Sequence, residues 1–102
     1  MTNKSLDMDL IKLLSIQEKK TLMERFVKLS EECGELAQEL LISAKASGSH
    51  HKAQGEDGIL GEAVDVTLVA LSIFFCAGGT ADELAIIAQA KCAKWQRFQQ
   101  PV

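Results

Sequence analysis

The chain has 102 residues, enough for one domain, which we expect to span residues 1–102. Apolar residues make up 47% of it and it contains one proline, a composition typical of a compact helical domain and not of a disordered segment. A net charge of −3 and the lack of a basic tract argue against nucleic-acid binding, because such a chain cannot neutralise a row of phosphates.

Cysteine usage and hydropathy predict the compartment. Cys33, Cys76 and Cys92 are odd in number and form no Cys-x-x-Cys pair, so we expect free thiols in a reducing environment. The first residues are too polar for a signal peptide. The apolar run Val66–Ala77 is too short, and too close to Asp65, to cross a bilayer. We therefore expect a cytoplasmic protein without a membrane partner.

The first half of the chain predicts two helices. Leucines recur at helical spacing over Leu6–Ile16, with Ser5 as the expected N-cap. Thr21-Leu-Met-Glu24 matches a capping box, in which the threonine hydroxyl and the glutamate carboxylate each accept a hydrogen bond from a free backbone N–H. The second helix should begin there and continue, without an intervening proline, to about Ala46.

A loop and a strongly apolar helix follow. Ser47–Gly58 is rich in glycine and serine and has no apolar period, which predicts a loop in which His50 and His51 are solvated. Ile59–Ala77 predicts a third helix that is apolar on nearly all sides, as expected of a buried element or of a subunit interface. Such a helix in so short a chain predicts a homodimer or homotetramer.

The last helix begins with another local signal. Gly78 and Gly79 should end the third helix, and Thr80-Ala-Asp-Glu83 is a second capping box that starts a fourth helix running to about Phe98. Strand-like alternation is absent from the sequence. The fold class predicted is therefore all-α, an antiparallel bundle of four helices, or five, that assembles into a homo-oligomer.

The second helix carries a costly row of acids. Glu32, Glu35 and Glu39 form a stripe on the flank of its apolar side, while Glu31 points further from the core. Carboxylates three and four residues apart repel each other by roughly a few tenths of a kcal/mol per pair, unless a cation lies between them. On a helix that stood alone, a solvated acidic face would be the favoured interpretation.

A second acidic pair changes that balance. Glu62 and Asp65 are three residues apart and share a face of the third helix with its apolar stripe. Two helices that each carry acids beside an apolar seam can pack so that about four carboxylates converge, which is the oxygen-rich environment that suits Mg²⁺ or Mn²⁺. The residues themselves therefore predict a Mg²⁺ site, with Mn²⁺ as the alternative ion.

The two acidic motifs resemble those of a known enzyme family. Glu31-Glu32-Cys33-Gly34-Glu35 and, after the loop, Glu62-Ala-Val-Asp65 are similar to the Glu-Glu-x-x-Glu … Glu-x-x-Asp signature of the MazG-like all-α nucleoside triphosphate pyrophosphohydrolases. The resemblance extends from Thr21 to Arg97. It implies a Mg²⁺-dependent hydrolase of nucleotide metabolism, dimeric or tetrameric, that converts an NTP or dNTP to the monophosphate and pyrophosphate.

Carried over to this chain, the resemblance implies a role for each acid of the motifs. The metal ligands would be Glu32, Glu35, Glu62 and Asp65, which is the subset that the helical faces also indicate. Glu31 would complete the five catalytic acids by orienting a ligand or by pairing with a lysine.

Substrate-binding residues are expected on the last helix and in the loop. The segment Lys91-Cys-Ala-Lys94-Trp-Gln-Arg97 is also similar to the family, and its cations would bind phosphates; for the two lysines, complementing the helix dipole is an equal alternative. Lys52 is expected to reach the phosphates from the loop. Trp95 and Phe26 are the aromatic candidates for contact with the base, and the preferred nucleobase stays open.

Two other classes of protein gather acids on helices. A carboxylate di-iron bundle uses Glu-x-x-His on its helices, which fails here because both histidines lie in the predicted loop. A non-catalytic interaction module, whose acidic face docks a basic partner, remains the alternative function.

Overall fold

Four α-helices make up most of the computed structural model, which describes residues 5–45, 48, 55 and 57–99. They are α1 (Met8–Gln17), α2 (Leu22–Ser43), α3 (Gly58–Cys76) and α4 (Ala81–Gln99). The described residues contain no strand, so the predicted all-α class and the number of helices are confirmed. Most of the predicted loop, with His50 and His51, lies outside the described residues.

Local side-chain hydrogen bonds cap the beginnings of α1, α2 and α4. The capping box at Thr21 is confirmed, because Thr21 Oγ1 accepts from the Glu24 N–H at 3.1 Å and Glu24 Oε1 accepts from the Thr21 N–H at 2.9 Å. That N–H also lowers the pKa of Glu24, since it stabilises the carboxylate. Thr80 and Glu83 form the same reciprocal pair before α4.

The predicted cap of α1 is wrong. The N-cap is Asp7, whose Oδ1 accepts from the Leu10 N–H at 3.0 Å, two residues beyond the expected Ser5. Aspartate satisfies a helix N-terminus as well as serine does, so the choice between them depends on where the chain first turns.

The end of α2 also differs from the prediction. This helix ends at Ser43 rather than near Ala46, because Lys45 adopts a left-handed conformation (φ 53°) that a helix cannot continue.

A buried arginine joins α1 to α2. Arg25 is 2% exposed, and its Nη2 donates to the carbonyl oxygens of Ser15 and Glu18 at 2.8 Å each. Its Nε donates to the Lys20 carbonyl oxygen at 3.1 Å. These acceptors lie at or just beyond the end of α1, where carbonyls have no helical partner and a cation is favoured by the helix dipole. Arg25 therefore fixes the turn between the two helices.

The chain by itself encloses a thin apolar core. Within the described residues, α3 contacts α1 and α2, whereas α4 contacts α1 alone. Phe75 is the only buried apolar side chain described, and large apolar side chains are exposed on all four helices, among them Leu13, Phe26, Leu60, Leu68, Ile87 and Phe98. The radius of gyration is 16.7 Å, against about 13 Å for a compact chain of this length.

The length and apolar character of α3 also match those of a helix that crosses a membrane. Over its 19 residues, α3 is the one described helix that is long and apolar enough to cross a membrane, with a mean hydropathy of 2.0. The sequence analysis counted a shorter run, because it began the span after Asp65. The core helix of a water-soluble protein passes the same test when it is mostly buried, whereas only 6% of the apolar window of α3 is buried within one chain. Glu62 and Asp65 lie on this helix among other carboxylates.

Candidate metal centre

Acidic side chains of α2 and α3 meet because these two helices pack against each other. Glu32, Glu35 and Glu62 each place one carboxylate oxygen within 4.8 Å of the others. A second group, under the same limit, consists of Asp57, Glu62 and Asp65. Glu62 belongs to both groups, so the four acids that the sequence singled out as metal ligands lie in two groups that share Glu62, and Asp57 joins the second.

Two carboxylate oxygens in this acidic cluster lack a hydrogen-bond donor. Glu32 is 7% exposed, and its Oε2 is buried without a partner among the described residues. Oε2 of Glu62 is in the same situation. A buried carboxylate oxygen without a donor is costly, and a cation in contact with it removes that cost. The oxygen-only donor set and these two free oxygens fit Mg²⁺ or Mn²⁺.

The electrostatics of the cluster are concentrated on Glu62. Burial raises the pKa of Glu62 above its ordinary value, and the neighbouring charges of Glu35 and Asp65 raise it further. The carboxylate is therefore destabilised in the metal-free protein. Either a proton or a cation relieves this repulsion, so the two should compete for the site.

The raised pKa of Glu62 predicts how stability depends on pH. The folded, metal-free protein holds a proton at Glu62 more readily than the unfolded chain does, so the free energy of unfolding should rise as the pH falls from 7.5 towards the ordinary carboxyl value of 4.5. Glu62→Gln removes this charge. In thermal melts with EDTA, the variant should be more stable than the wild type at pH 7.5, and the difference should shrink at pH 5.

The control for that measurement is Asp9→Asn, which removes an exposed carboxylate in the first turn of α1. A difference between the Glu62→Gln variant and the wild type that is the same at pH 7.5 and pH 5 would contradict the assignment of the raised pKa to Glu62.

The sequence analysis missed Asp57, which it placed in the loop. Asp57 occupies the N-cap position of α3, but its side chain makes no capping hydrogen bond. It lies against Gly61 instead, where an added Cβ would collide with the Asp57 Cβ and come within 3.0 Å of its Cγ. Glycine at position 61 thus leaves room for Asp57 beside Glu62. The sequence feature that could have identified Asp57 is its position directly before the Gly-x-x-Gly-Glu start of α3.

Two further acids of the motif stripe on α2, Glu31 and Glu39, lie outside both groups. The Glu31 side chain is 60% exposed, and its Oε2 lies 3.7 Å from Lys28 Nζ. Glu39 is buried, and its Oε1 accepts from the Gly55 N–H at 2.6 Å while its Oε2 has no partner among the described residues. The sequence analysis placed Glu39 on the acidic stripe without a role. The structure gives it a contact with the segment that precedes α3.

The cations predicted to bind substrate do not join the acids within one chain. Lys91, Lys94, Arg97 and Trp95 are exposed on α4, which contacts neither α2 nor α3 in the described residues. Lys52 lies outside the described residues. Phe26 is exposed on α2. A single chain therefore presents the acidic cluster without the phosphate-binding residues expected from its last helix.

The cation that does lie beside the cluster is Lys28, which the sequence analysis did not single out. Its Nζ is 3.1 Å from Glu32 Oε1. This hydrogen bond raises the pKa of Lys28 because it stabilises the ammonium. The sequence could have indicated Lys28, because it precedes the motif residue Glu32 by four positions and side chains at that spacing lie next to each other on a helix.

Comparison with known proteins gave no relative. No protein-family model, no curated protein and no solved structure matches this chain. Its function must therefore be inferred from the acidic motifs and from the geometry of the cluster.

Proposed function

We propose that this protein is a Mg²⁺-dependent hydrolase that converts a nucleoside or deoxynucleoside triphosphate to its monophosphate and pyrophosphate. The observation that carries the proposal is the convergence of Glu32, Glu35, Glu62 and Asp65 between two packed helices, with buried carboxylate oxygens that lack donors. The resemblance of the same residues to the MazG-like signature also supports it. The cellular role would be removal of unwanted nucleotides from the cytoplasmic pool.

The proposed chemistry follows from charge. A triphosphate carries about four negative charges and is repelled by an acidic cluster unless a cation balances them. Glu32, Glu35, Glu62 and Asp65 would hold Mg²⁺, and Mn²⁺ could replace it. When bound, the ion supplies Lewis-acid polarisation of phosphoryl oxygens and lowers the pKa of a coordinated water. The cations that would neutralise the leaving pyrophosphate are Lys91, Lys94 and Arg97 of α4, which do not lie beside the acids of their own chain.

The proposal includes a homo-oligomer, dimeric or tetrameric. Large apolar side chains are exposed on every helix, and the chain is more extended than a compact domain of its length. The occupant that best fits these surfaces is a second copy of the chain, because apolar faces on α3 and α4 can then cover each other. A copy placed in this way would also bring the α4 cations of one chain towards the acidic cluster of another.

We expect an assembly to appear in solution. Light scattering at micromolar concentration should give a mass at least twice the 11.1 kDa of one chain. A single monomeric species would contradict the proposed assembly.

A sharing of sites between chains can be tested by complementation. Glu62→Gln and Arg97→Gln should each be inactive alone, because one lacks a ligand and the other a phosphate-binding cation. Co-expressed from two differently tagged copies and purified through both tags, they should regain activity, since a mixed assembly contains sites with both residues intact. Equal inactivity of the mixed and the pure assemblies would mean that each site takes both residues from one chain.

The decisive test of the activity is a substrate panel. The purified protein is incubated with Mg²⁺ and each of the eight common NTPs and dNTPs, and phosphate is measured after inorganic pyrophosphatase is added. Turnover that depends on both Mg²⁺ and the added pyrophosphatase supports the proposal and identifies the preferred base. Lack of turnover on all eight would favour the non-catalytic module with an acidic face.

A further inference from the structure

Lys28 occupies an unusual position in the acidic cluster. Its Nζ contacts Glu32 at 3.1 Å and Glu31 at 3.7 Å, which links a buried acid of the cluster to an exposed neighbour. In the part of the chain that the structure describes, no other lysine or arginine is ion-paired with Glu31, Glu32, Glu35, Glu62 or Asp65. Lys28 is thus the cation that balances the cluster from within the chain.

We propose that Lys28 is a resident counter-ion of the metal site, which neutralises Glu32 in the free protein and moves to the phosphates when metal and nucleotide enter together. This inference rests on the proposed function. It makes Lys28 a substrate-binding residue. The sequence had offered only the cations on α4 and in the loop as candidates for binding the phosphates.

Competition between Lys28 and a metal follows from their shared partner. Glu32 Oε1 is engaged by the ammonium, and a divalent cation bound at Glu32 would lie a few ångströms from that ammonium and repel it. Metal alone therefore weakens the contact of Lys28 with Glu32 and leaves the ammonium only its exposed partner Glu31, at 3.7 Å. A nucleotide changes this, because its phosphates offer the ammonium acceptors of opposite charge.

The side chain has the freedom to make this move. It is 43% exposed, and four rotatable bonds separate the ammonium from the helix. Lys28 also lines a cavity of about 270 Å³ between α1, α2 and α3, whose wall includes Lys20 and Arg25. None of the cluster's acids lines this cavity, so the freedom of the ammonium to move comes from its exposure to solvent. Metal and nucleotide should consequently bind with positive coupling, each raising the affinity of the protein for the other.

The test measures metal binding and turnover separately. Mn²⁺ affinity without nucleotide is measured from the free Mn²⁺ signal in electron paramagnetic resonance. The wild type is compared with Lys28→Met, with Lys28→Arg and with the control Lys19→Met, which removes an equal charge from an exposed residue without an observed ion pair. Lys28→Met should bind Mn²⁺ about threefold more tightly or better, because the competing cation is gone.

Turnover should move in the opposite direction. In Lys28→Met, kcat/KM for the preferred triphosphate should fall by about 10- to 100-fold, whereas Lys28→Arg should keep most of it and Lys19→Met all of it. A Mn²⁺ affinity in Lys28→Met that equals or falls below that of the wild type would overturn the counter-ion role. Tighter Mn²⁺ binding with unchanged kcat/KM would overturn the transfer to phosphate.

The two hypotheses fail in different ways. If the wild type hydrolyses no triphosphate, the proposed function and the transfer to phosphate fail together, while tighter Mn²⁺ binding by Lys28→Met would still support the counter-ion role. If the wild type hydrolyses a triphosphate and Lys28→Met is indistinguishable from Lys19→Met in both measurements, the activity stands and the inference about Lys28 is wrong.

Discussion

Glu35→Gln and Asp65→Asn should each reduce Mg²⁺-dependent turnover by about 100-fold or more. Changing a residue that only orients a metal ligand costs up to about 100-fold, and changing a ligand itself should cost at least as much. Each substitution keeps the size of the side chain and removes one negative charge, so it weakens metal binding without opening a cavity. Glu35 and Asp65 belong to the two different groups that share Glu62, so the pair of variants tests both halves of the cluster.

Stability should separate this effect from misfolding. In the absence of metal the carboxylates repel one another, so both variants should melt at the wild-type temperature or slightly above it. Asp9→Asn, which removes an exposed carboxylate outside the cluster, should leave turnover unchanged. Retained turnover in both cluster variants at saturating Mg²⁺ would show that these acids are not the site.

Arg25→Met should lower the free energy of unfolding by about 3 kcal/mol, because it removes a charged donor from three backbone carbonyls at the end of α1. Methionine keeps part of the apolar stem but cannot donate a hydrogen bond. The carbonyl of Ser15 would be left unsatisfied in a buried position, which costs more than the loss of an exposed contact.

The measurement is urea unfolding followed by circular dichroism at a fixed protein concentration, since association contributes to the stability of an oligomer. Lys19→Met is the matched control, because it removes a positive charge at an exposed position in the turn that Arg25 holds from α2. Equal losses in the two variants would contradict the structural role of Arg25. Recovery of most of the lost stability by Arg25→Lys would indicate that the positive charge, rather than the fork of donors, matters most.

The features that the sequence predicted correctly depend on interactions within a few residues. The capping boxes at Thr21 and Thr80 join residues three apart, so they form wherever a helix begins there, whatever packs against it later. The expected cap at Ser5 failed because Asp7 offers an equivalent acceptor two residues on, and local propensity does not choose between them.

The acidic cluster was predictable to the extent that helix geometry alone places side chains. Residues three apart share a face, so Glu32 and Glu35, and likewise Glu62 and Asp65, could be paired from their spacing. That the two pairs would meet was inferred from the apolar seam beside each of them, because seams pack together. The structure places Glu32 and Glu35 with Glu62 in one group, and Asp65 with Glu62 in a second.

Tertiary structure decided what lies between the helices. Asp57 joins the cluster only because Gly61 leaves room for it, and Arg25 is buried only because α1 ends against it. In the described residues α4 contacts α1 alone, which leaves its cations away from the acids of the same chain. Helical spacing fixes the direction of a side chain around its own axis, whereas the angle and offset between two helices depend on the packing of all their side chains at once.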